Sequence, residues 1–314
     1  MRAWRKLGPG GDLEVSVIDE PVPGPGEFVL DVHAVGLCHS DVTIVDGPGE
    51  QWLAKMPITL GHEVAGVVSA LGGPSDDIRI GDRVALLSLD FGNCPGISRD
   101  GGYAAKTIGR MDSFVPIPEG VDFASAAVGT DAGMTAHHAV RAAAVTSGTR
   151  VGIIGLGGLG TMGAQLAQHL GAEVYAAETR DEVREHSARY GVTACFPDAT
   201  GFTGLDLDVI IDFAGVGTTT AIAVGTVKAG GTVVVVGLGA FESTISTNAL
   251  VTKAITLTGS LGGTREDVEG IFAAMAAGAI KPEIDPIRFD DIGEAISRLR
   301  AGAVRGRFVA QLAD

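Results

Sequence analysis

Apolar and polar positions follow two different patterns along the chain. Up to about residue 125, short β-branched apolar runs are bounded by Gly, Pro and Asp, which predicts strands over residues 27–35, 63–71 and 83–87. From residue 130 onward, short apolar runs alternate with helix-length segments. Because this alternation is typical of a parallel sheet with helices on both faces, the pattern predicts an α/β protein with a β-rich first part.

The second part can be divided further. We expect strands over 150–154, 173–177, 208–211, 232–236 and 255–258, and helices over 159–170 and 181–190. Beyond residue 262 the pattern predicts helices over 265–276 and 290–301 and a final strand over 307–312, which would return to the first domain. A chain of 314 residues is longer than one core usually serves, so two domains are expected.

Composition narrows the classes of function. A formal net charge of −15 repels the phosphates of nucleic acids and anionic membrane surfaces. No apolar signal core follows the basic N-terminus, and apolar runs such as 233–236 are too short to cross a bilayer. Three cysteines are too few for a disulfide framework, and their number is odd. We therefore expect a cytoplasmic protein that binds neither nucleic acid nor membranes.

A glycine-rich turn follows the first predicted strand of the second part. Residues 155–160 read Gly-Leu-Gly-Gly-Leu-Gly. Gly155 permits a tight turn, Gly157 lets the backbone approach a pyrophosphate, and Gly160 lets the helix pack closely on the strand. The phosphates would then lie at the helix N-terminus, beside Gly158 and Leu159. The turn predicts dinucleotide binding, the alternative being a packing turn without a ligand.

Glu178 ends the next predicted strand, where an acidic residue would bind the hydroxyls of the adenosine ribose. A carboxylate at this position would repel a 2′-phosphate, so Glu178 favours NAD. Arg180, two residues later, could instead pair with that phosphate or stack beside the adenine. We therefore predict NAD as the cofactor, with NADP less favoured.

Two blocks near the N-terminus carry metal-ligating side chains. Residues 36–41 read Gly-Leu-Cys-His-Ser-Asp, and residues 61–66 read Gly-His-Glu-Val-Ala-Gly. In order and spacing, these blocks and the glycine-rich turn make the chain resemble the medium-chain zinc-dependent alcohol dehydrogenases, and the resemblance extends to residues 305–309. It implies a β-rich, GroES-like catalytic domain over 1–127 and 263–314. It also implies a Rossmann-type cofactor domain, a doubly wound parallel sheet, over 128–262.

The same resemblance implies a catalytic zinc. Cys38 and His62 would be ligands, and Glu63 would lie beside the metal as an occasional ligand. Asp131 stands where a third ligand is often cysteine, and some bacterial members use aspartate there. Zinc accepts carboxylate oxygen as well as thiolate and imidazole. Taken singly, Cys38 could be a core residue, His62 a hydrogen-bonded histidine and Asp131 a helix N-cap.

Four more positions match residues with roles in the family. Asp41 would hold the zinc-bound histidine in one tautomer, and Ser40 would bond the substrate oxygen and begin proton removal. His39 would lie near the cofactor pyrophosphate, and Arg307 would contact the cofactor phosphates. Helix capping by Ser40 or Asp41, and a surface position for Arg307, are the alternatives.

Two departures from the family pattern matter. Many members carry four closely spaced cysteines that bind a second, structural zinc, whereas residues 86–103 contain only Cys94. We therefore expect one catalytic zinc, no structural zinc and an inert Cys94. Thr43 stands where some members relay the proton through a histidine, so the proton would pass from Ser40 to the nicotinamide ribose hydroxyl.

We expect the hydrophobic substrate pocket to include Trp52, Leu87 and Phe91.

The predicted function is hydride transfer between NAD and a small-molecule alcohol, a secondary one being favoured, or a ketone or aldehyde. A first alternative is a zinc-free enoyl or quinone reductase of the same superfamily, although such reductases lack the set of Cys38, His62 and Asp131. A second alternative is a noncatalytic dinucleotide-binding protein. The relatives also imply a homo-oligomer, either a dimer or a tetramer.

Overall fold

The structure is a computed structural model that describes residues 1–88 and 92–312. It divides into two compact units. Unit 1 comprises Met1–Ala132, Thr264–Ala276 and Pro282–Asp314, and unit 2 comprises Gly133–Gly263 and Ala277–Lys281. Phe91, which was expected to line a substrate pocket, lies outside the described residues.

The elements are as follows in chain order. The strands are β1 (Arg2–Lys6), β2 (Leu13–Val17), β3 (Glu27–Gly36), β4 (Ile58–Thr59), β5 (Glu63–Leu71), β6 (Arg83–Leu86), β7 (Lys106–Arg110), β8 (Phe114–Pro116), β9 (Arg150–Ile154), β10 (Glu173–Ala177), β11 (Val192–Phe196), β12 (Val209–Asp212), β13 (Thr232–Val235), β14 (Thr256–Gly259), β15 (Ile284–Arg288) and β16 (Arg307–Gln311). The helices are α1 (His39–Val45), α2 (Phe123–Val128), α3 (Met134–Ala142), α4 (Gly158–His169), α5 (Asp181–Arg184), α6 (Thr218–Thr226), α7 (Thr247–Thr252), α8 (Arg265–Ala276) and α9 (Ile292–Arg300). A π-helical turn covers Gly129–Gly133.

Unit 1 is built on a largely antiparallel sheet in the order β15-β16-β3-β5-β6-β8, with β7 also paired to β3. A smaller sheet has the order β2-β1-β4. β5 and β16 both pair with the end of β3, so that Glu63 and Val309 are each opposite Gly36. This register brings the loop after β3, the start of β5 and the start of β16 to one place. Fully buried side chains such as Phe28 and Phe308 form the core beneath them.

Unit 2 contains a parallel six-stranded sheet in the order β11-β10-β9-β12-β13-β14. The strand order reverses between β9 and β12, and doubly wound folds bind their ligands at the carboxyl ends of the strands flanking such a point. Fully buried Ile153, Ile210 and Val233 belong to β9, β12 and β13, as expected for strands covered on both faces. The predicted α/β fold class, with a β-rich unit and a Rossmann-type unit, is confirmed.

One predicted element is wrong. The helix expected over 181–190 is broken into α5 and a 3₁₀ turn over Ser187–Tyr190. The ring of His186 bonds the carbonyl of Glu182, the acceptor that its own backbone N–H would use in a continued α-helix, and that N–H bonds Val183 instead.

Within the described residues, no helix combines the length and hydrophobicity needed to cross a membrane.

Candidate functional site

Four potential metal donors converge in unit 1. The Sγ of Cys38, a ring nitrogen of His62 and carboxylate oxygens of Glu63 and Asp131 all lie within 4.8 Å of one another. The first three side chains are buried, whereas 22% of the Asp131 side chain is exposed. The structure thus brings together the four residues that the family resemblance implied as zinc ligands.

The start of α1 fixes the position of Cys38. Cys38 is the N-cap residue of this helix, and its backbone N–H donates to Asp41 Oδ2 at 2.9 Å. Gly36, at the end of β3, lies against Glu63, and a Cβ at this glycine would overlap the carboxylate. The glycine therefore lets β5 place Glu63, and His62 before it, next to the segment that carries Cys38.

The imidazole of His62 lies between two carboxylates. Its Nε2 is 3.5 Å from Asp131 Oδ2, and its Nδ1 is 3.5 Å from Asp41 Oδ1. Burial alone would lower the pKa of His62, but the neighbouring Asp41 and Asp131 carboxylates outweigh it and raise the pKa. Burial would likewise raise the pKa of Asp131, but His62 and then Arg307 lower it. The cluster therefore favours a positive charge at its centre.

The donor set fits a zinc ion. Thiolate sulfur, imidazole nitrogen and carboxylate oxygen are the ligand types that zinc binds in proteins. Nδ1 of His62 and Oδ1 of Asp41 are buried, face each other, and have no other hydrogen-bond partner among the described residues. A proton on Nδ1 directed at Asp41 would leave Nε2 unprotonated as a metal donor. Cys38, His62 and Asp131 can therefore hold one ion.

Arg307 has different surroundings from those expected of a surface residue. Only 3% of it is exposed, so the surface alternative is wrong. Its Nε lies 3.0 and 3.1 Å from the two carboxylate oxygens of Glu63, its Nη2 also bonds Glu63, and Nη2 lies 3.1 Å from Asp131 Oδ2. Burial raises the pKa of Glu63 to about 7, against the opposing attraction of Arg307. Arg307 thus pairs with two potential metal donors, and its contact with cofactor phosphates stays a prediction.

The first turn of α1 contains the other predicted residues. Ser40 is half-buried, with its Oγ 3.4 Å from Cys38 Sγ, and His39 is exposed. The hydroxyl of Thr43 donates to the carbonyl of His39 at 3.0 Å, within the helix. The roles of Ser40 toward the substrate and of His39 toward the pyrophosphate stay predictions.

Residues 86–103 contain one cysteine, Cys94, and it is buried. Cys94 is 4% exposed, its Sγ donates to the carbonyl of Pro95 at 3.4 Å, and burial raises the pKa of its thiol, as expected of an unreactive cysteine. Of the two described residues expected in a substrate pocket, Leu87 is 1% exposed and Trp52 packs on the core of unit 1. Leu87 therefore offers almost no surface to a substrate.

Two residues that contact this site were not singled out from the sequence. The hydroxyl of Tyr103 donates to Asp41 Oδ2 at 2.9 Å, and the hydroxyl of Ser88 donates to the backbone carbonyl of His62 at 2.6 Å. Tyr103 lies beyond both ligand-bearing blocks, and its partner is 62 positions away in the chain. No local sequence pattern reveals such a pair.

The glycine-rich turn in unit 2 has the expected local geometry. Gly155 has a φ of +85°, which disfavours any residue with a side chain. Gly157 is the N-cap of α4, and the space where its Cβ would lie is open, so a ligand can approach the backbone there. A Cβ at Gly160 would overlap the carbonyl oxygen of Gly155. Gly158 and Leu159 form the first turn of α4, whose free N–H groups favour phosphate.

Glu178 and Arg180 are paired with each other. Arg180 donates from Nε and Nη2 to the two oxygens of Glu178, both at 3.0 Å, and the backbone N–H of Leu156 donates to Glu178 Oε2 at 2.9 Å. Burial would raise the pKa of Glu178, but the hydrogen bonds from Arg180 and Leu156 outweigh it and lower the pKa. The acid thus ties the glycine-rich turn to the end of β10, and the arginine offsets part of its charge.

Known proteins resemble the chain over nearly its whole length. A family model for the alcohol dehydrogenase GroES-like domain matches residues 24–143, and a model for zinc-binding dehydrogenases matches residues 158–277. An alcohol dehydrogenase of Geobacillus stearothermophilus is 29% identical, over 96% of this chain and 96% of that protein.

Solved structures show the same fold. The acetophenone reductase of Geotrichum candidum, solved in complex with NAD, superposes with a TM-score of 0.89 at 28% identity, covering 100% of this chain and 97% of that one. The alcohol dehydrogenase of the hyperthermophilic archaeon Aeropyrum pernix gives a TM-score of 0.90 at 26% identity, covering 99% and 100%.

Proposed function

The chain belongs to the medium-chain, zinc-dependent alcohol dehydrogenase family, and we propose that it transfers a hydride between NAD and a small-molecule alcohol, a secondary one being favoured, or a ketone or aldehyde. The observation that carries this proposal is the convergence of Cys38, His62 and Asp131 donor atoms in unit 1. Unit 2 supplies a glycine-rich turn suited to a dinucleotide pyrophosphate. Alcohol dehydrogenase and acetophenone reductase relatives support this reaction class.

The metal would be a single zinc ion bound by Cys38, His62 and Asp131. When bound, zinc acts as a Lewis acid that polarises a carbonyl or lowers the pKa of an alcohol in its open coordination position. Glu63 lies within the same cluster and is available as a further ligand, while Arg307 balances its charge. Residues 86–103 contain Cys94 as their sole cysteine, which supports one zinc per chain and no structural zinc.

The protein's own residues would orient the ligands and handle the proton. Asp41 faces Nδ1 of His62 and keeps a proton there, which fixes the ring orientation. The Ser40 hydroxyl, beside Cys38, accepts the proton of an alcohol during oxidation and returns it during reduction. Because Thr43 replaces a relay histidine and its hydroxyl is bonded within α1, the proton would continue to the nicotinamide ribose and solvent.

NAD is the proposed cofactor. Glu178 keeps a lowered pKa and so carries a negative charge at neutral pH, which disfavours a 2′-phosphate. Arg180 offsets part of that charge, so we expect selectivity for NAD without complete exclusion of NADP. A cytoplasmic location and a homodimeric or homotetrameric state complete the proposal, and size-exclusion chromatography with light scattering tests the latter.

A substrate panel tests the proposed function. Purified protein with one zinc per chain is incubated with primary and secondary alcohols and NAD, or with ketones and aldehydes and NADH, and the NADH absorbance is followed. Each reaction is repeated with NADP or NADPH and after removal of the metal with a chelator. We expect turnover of secondary alcohols and ketones that is lost with the metal and restored by zinc.

Two other outcomes would favour the alternative functions. Chelator-insensitive reduction of activated double bonds would indicate a zinc-free reductase. Binding of NADH without turnover of any alcohol, ketone or aldehyde would indicate a noncatalytic dinucleotide-binding protein. Neither alternative function explains why the donor atoms of Cys38, His62 and Asp131 lie together.

A further inference from the structure

A tyrosine outside the ligand-bearing blocks contacts the site through its hydroxyl. Tyr103 is fully buried, and its OH donates to Asp41 Oδ2 at 2.9 Å. Neither the cofactor turn nor the four metal donors include it. A phenylalanine would fill the same buried space as the tyrosine ring, so packing alone does not explain the hydroxyl.

The acceptor of that hydroxyl connects two donor segments. Oδ2 of Asp41 also accepts the backbone N–H of Cys38 at 2.9 Å. Its other oxygen, Oδ1, faces Nδ1 of His62 at 3.5 Å. With Tyr103 and Cys38 both bonded to Oδ2, the carboxylate cannot rotate freely, and Oδ1 stays directed at the imidazole.

The ring of Tyr103 is attached to the segment that carries His62. Its backbone N–H donates to the carbonyl of Leu60 at 3.0 Å, and Gly102 N–H donates to the carbonyl of Gly61 at 2.8 Å. The ring packs directly on Gly61, where a Cβ would overlap it, and Gly61 has a φ of +91°. Tyr103 therefore contacts the loop before His62 with its ring and the start of α1 with its hydroxyl.

We propose that Tyr103 is a positioning residue of the zinc site: its hydroxyl holds the Asp41 carboxylate so that Oδ1 receives the Nδ1 proton of His62 and Nε2 faces the metal. This inference rests on the proposed zinc-dependent function. Burial, together with Asp41, raises the pKa of Tyr103 well above its usual value, so the phenol stays a proton donor throughout the working pH range. Loss of an outer partner of a metal-ligating histidine lowers metal affinity by about 10–100-fold, and Tyr103 acts one residue further out.

The test compares Tyr103→Phe with Tyr175→Phe as a matched control. Tyr175 is also largely buried with a bonded hydroxyl, but it lies in β10 of unit 2. Zinc affinity is measured by competition with a chromophoric chelator, and the thiolate-to-metal absorption band is recorded after cobalt(II) substitution. We expect Tyr103→Phe to bind zinc about tenfold more weakly and to shift the cobalt band, with NADH affinity unchanged, and Tyr175→Phe to match the wild type.

A second background distinguishes the loss of Asp41 positioning from a general folding defect, which would lower zinc affinity in both backgrounds. In Asp41→Asn the carboxylate is already lost, so adding Tyr103→Phe should change zinc affinity no further. Overturning outcomes are a zinc affinity and cobalt spectrum of Tyr103→Phe equal to wild type, or an additional tenfold loss in the Asp41→Asn background. A wild-type protein that binds no zinc would overturn the proposed function together with this inference. That result differs from failure of the Tyr103 proposal alone, in which the wild type binds zinc and Tyr103→Phe binds it equally well.

Discussion

Replacing Arg307 with methionine tests whether the buried arginine stabilises the metal donors. The substitution keeps much of the side-chain volume but removes the cation that bonds both oxygens of Glu63 and one of Asp131. Arg307 is 3% exposed and Glu63 is fully buried, so solvent cannot replace the lost contacts. Removing one partner of a buried ion pair typically destabilises a protein by about 3–5 kcal/mol. We expect the metal-free protein to lose stability in this range at pH 8.

The assay can be confined to unit 1. The chain has two tryptophans, Trp4 and Trp52, and both lie in unit 1, so their fluorescence in urea reports the unfolding of that unit. For an m-value of about 2 kcal/mol/M, the expected loss lowers the urea midpoint by about 2 M. Zinc should reduce the difference from wild type, because the ion supplies the positive charge that Arg307 provided.

The pH dependence gives an independent check. Burial raises the pKa of Glu63 to about 7, and without Arg307 it should rise further. A carboxyl whose pKa is raised on folding contributes stability at low pH and loses it as the pH rises through the folded value. The difference in stability between Arg307→Met and wild type should therefore be small near pH 5 and increase toward pH 8.

Two controls separate this explanation from a general packing effect. The double variant Glu63→Gln/Arg307→Met removes the charge along with its partner, and should recover most of the lost stability. Arg288→Met breaks an exposed pair with Asp291 and should leave the urea midpoint unchanged. A metal-free Arg307→Met protein within about 1 kcal/mol of wild type at pH 8 would refute the reasoning.

Three further predictions concern the proposed zinc ligand Asp131 in unit 1 and cofactor binding by Glu178 in unit 2. Asp131→Ala should abolish zinc binding, measured by metal analysis, and turnover of any alcohol or ketone, while NADH affinity by fluorescence titration stays within about twofold because the glycine-rich turn lies in unit 2; unchanged turnover would exclude a ligand role. Glu178→Gln removes the charge that opposes a 2′-phosphate and ends the ion pair with Arg180, so the ratio of NADPH to NADH affinity should rise by about tenfold or more, and a constant ratio would contradict the assignment. Because the pKa of Glu178 is lowered, its carboxylate stays ionised and NADH affinity in the wild type should be constant from pH 8 to pH 5. The contribution of this carboxylate to folding stability should be lost only as the pH falls through its folded pKa, below the unfolded value of about 4.3. A loss of NADH affinity near pH 6 would be inconsistent with this expectation.

The sequence was informative where chemistry is encoded in short blocks. The glycine-rich turn is contiguous, so dinucleotide binding could be predicted from neighbouring residues alone. Cys38, His62 and Glu63 also fall in two short blocks, but their role as zinc ligands was implied by the family resemblance. The alternation of strands and helices likewise predicted the parallel sheet of unit 2, because each buried strand is a short apolar run. The role of Asp131 as a zinc ligand could likewise be predicted only from the family resemblance, because a lone aspartate before an apolar helix is typical of a helix N-cap.

Contacts made across the sheet were not predictable in the same way. The pairing of Arg307 with Glu63 depends on β16 and β5 both lying beside β3, a register that the chain order does not reveal. The bond from Tyr103 to Asp41 depends on a turn that packs on Gly61. Both contacts are between residues far apart in sequence: Arg307 bonds the potential metal donor Glu63, and Tyr103 bonds Asp41, which faces His62.

The charges in this cluster explain why those partners matter. With Cys38 as a thiolate and Glu63 and Asp131 both ionised, the three donors carry three negative charges among largely buried side chains, which is unfavourable unless cations balance them. A divalent ion and Arg307 together would supply three positive charges, so the donor cluster would become neutral on binding the metal. Aspartate at position 131 maintains this balance, because it carries the same charge as the thiolate often found there. Arg307 thus belongs to the electrostatics of the donor cluster, and it contributes this positive charge whether or not it also contacts a cofactor phosphate.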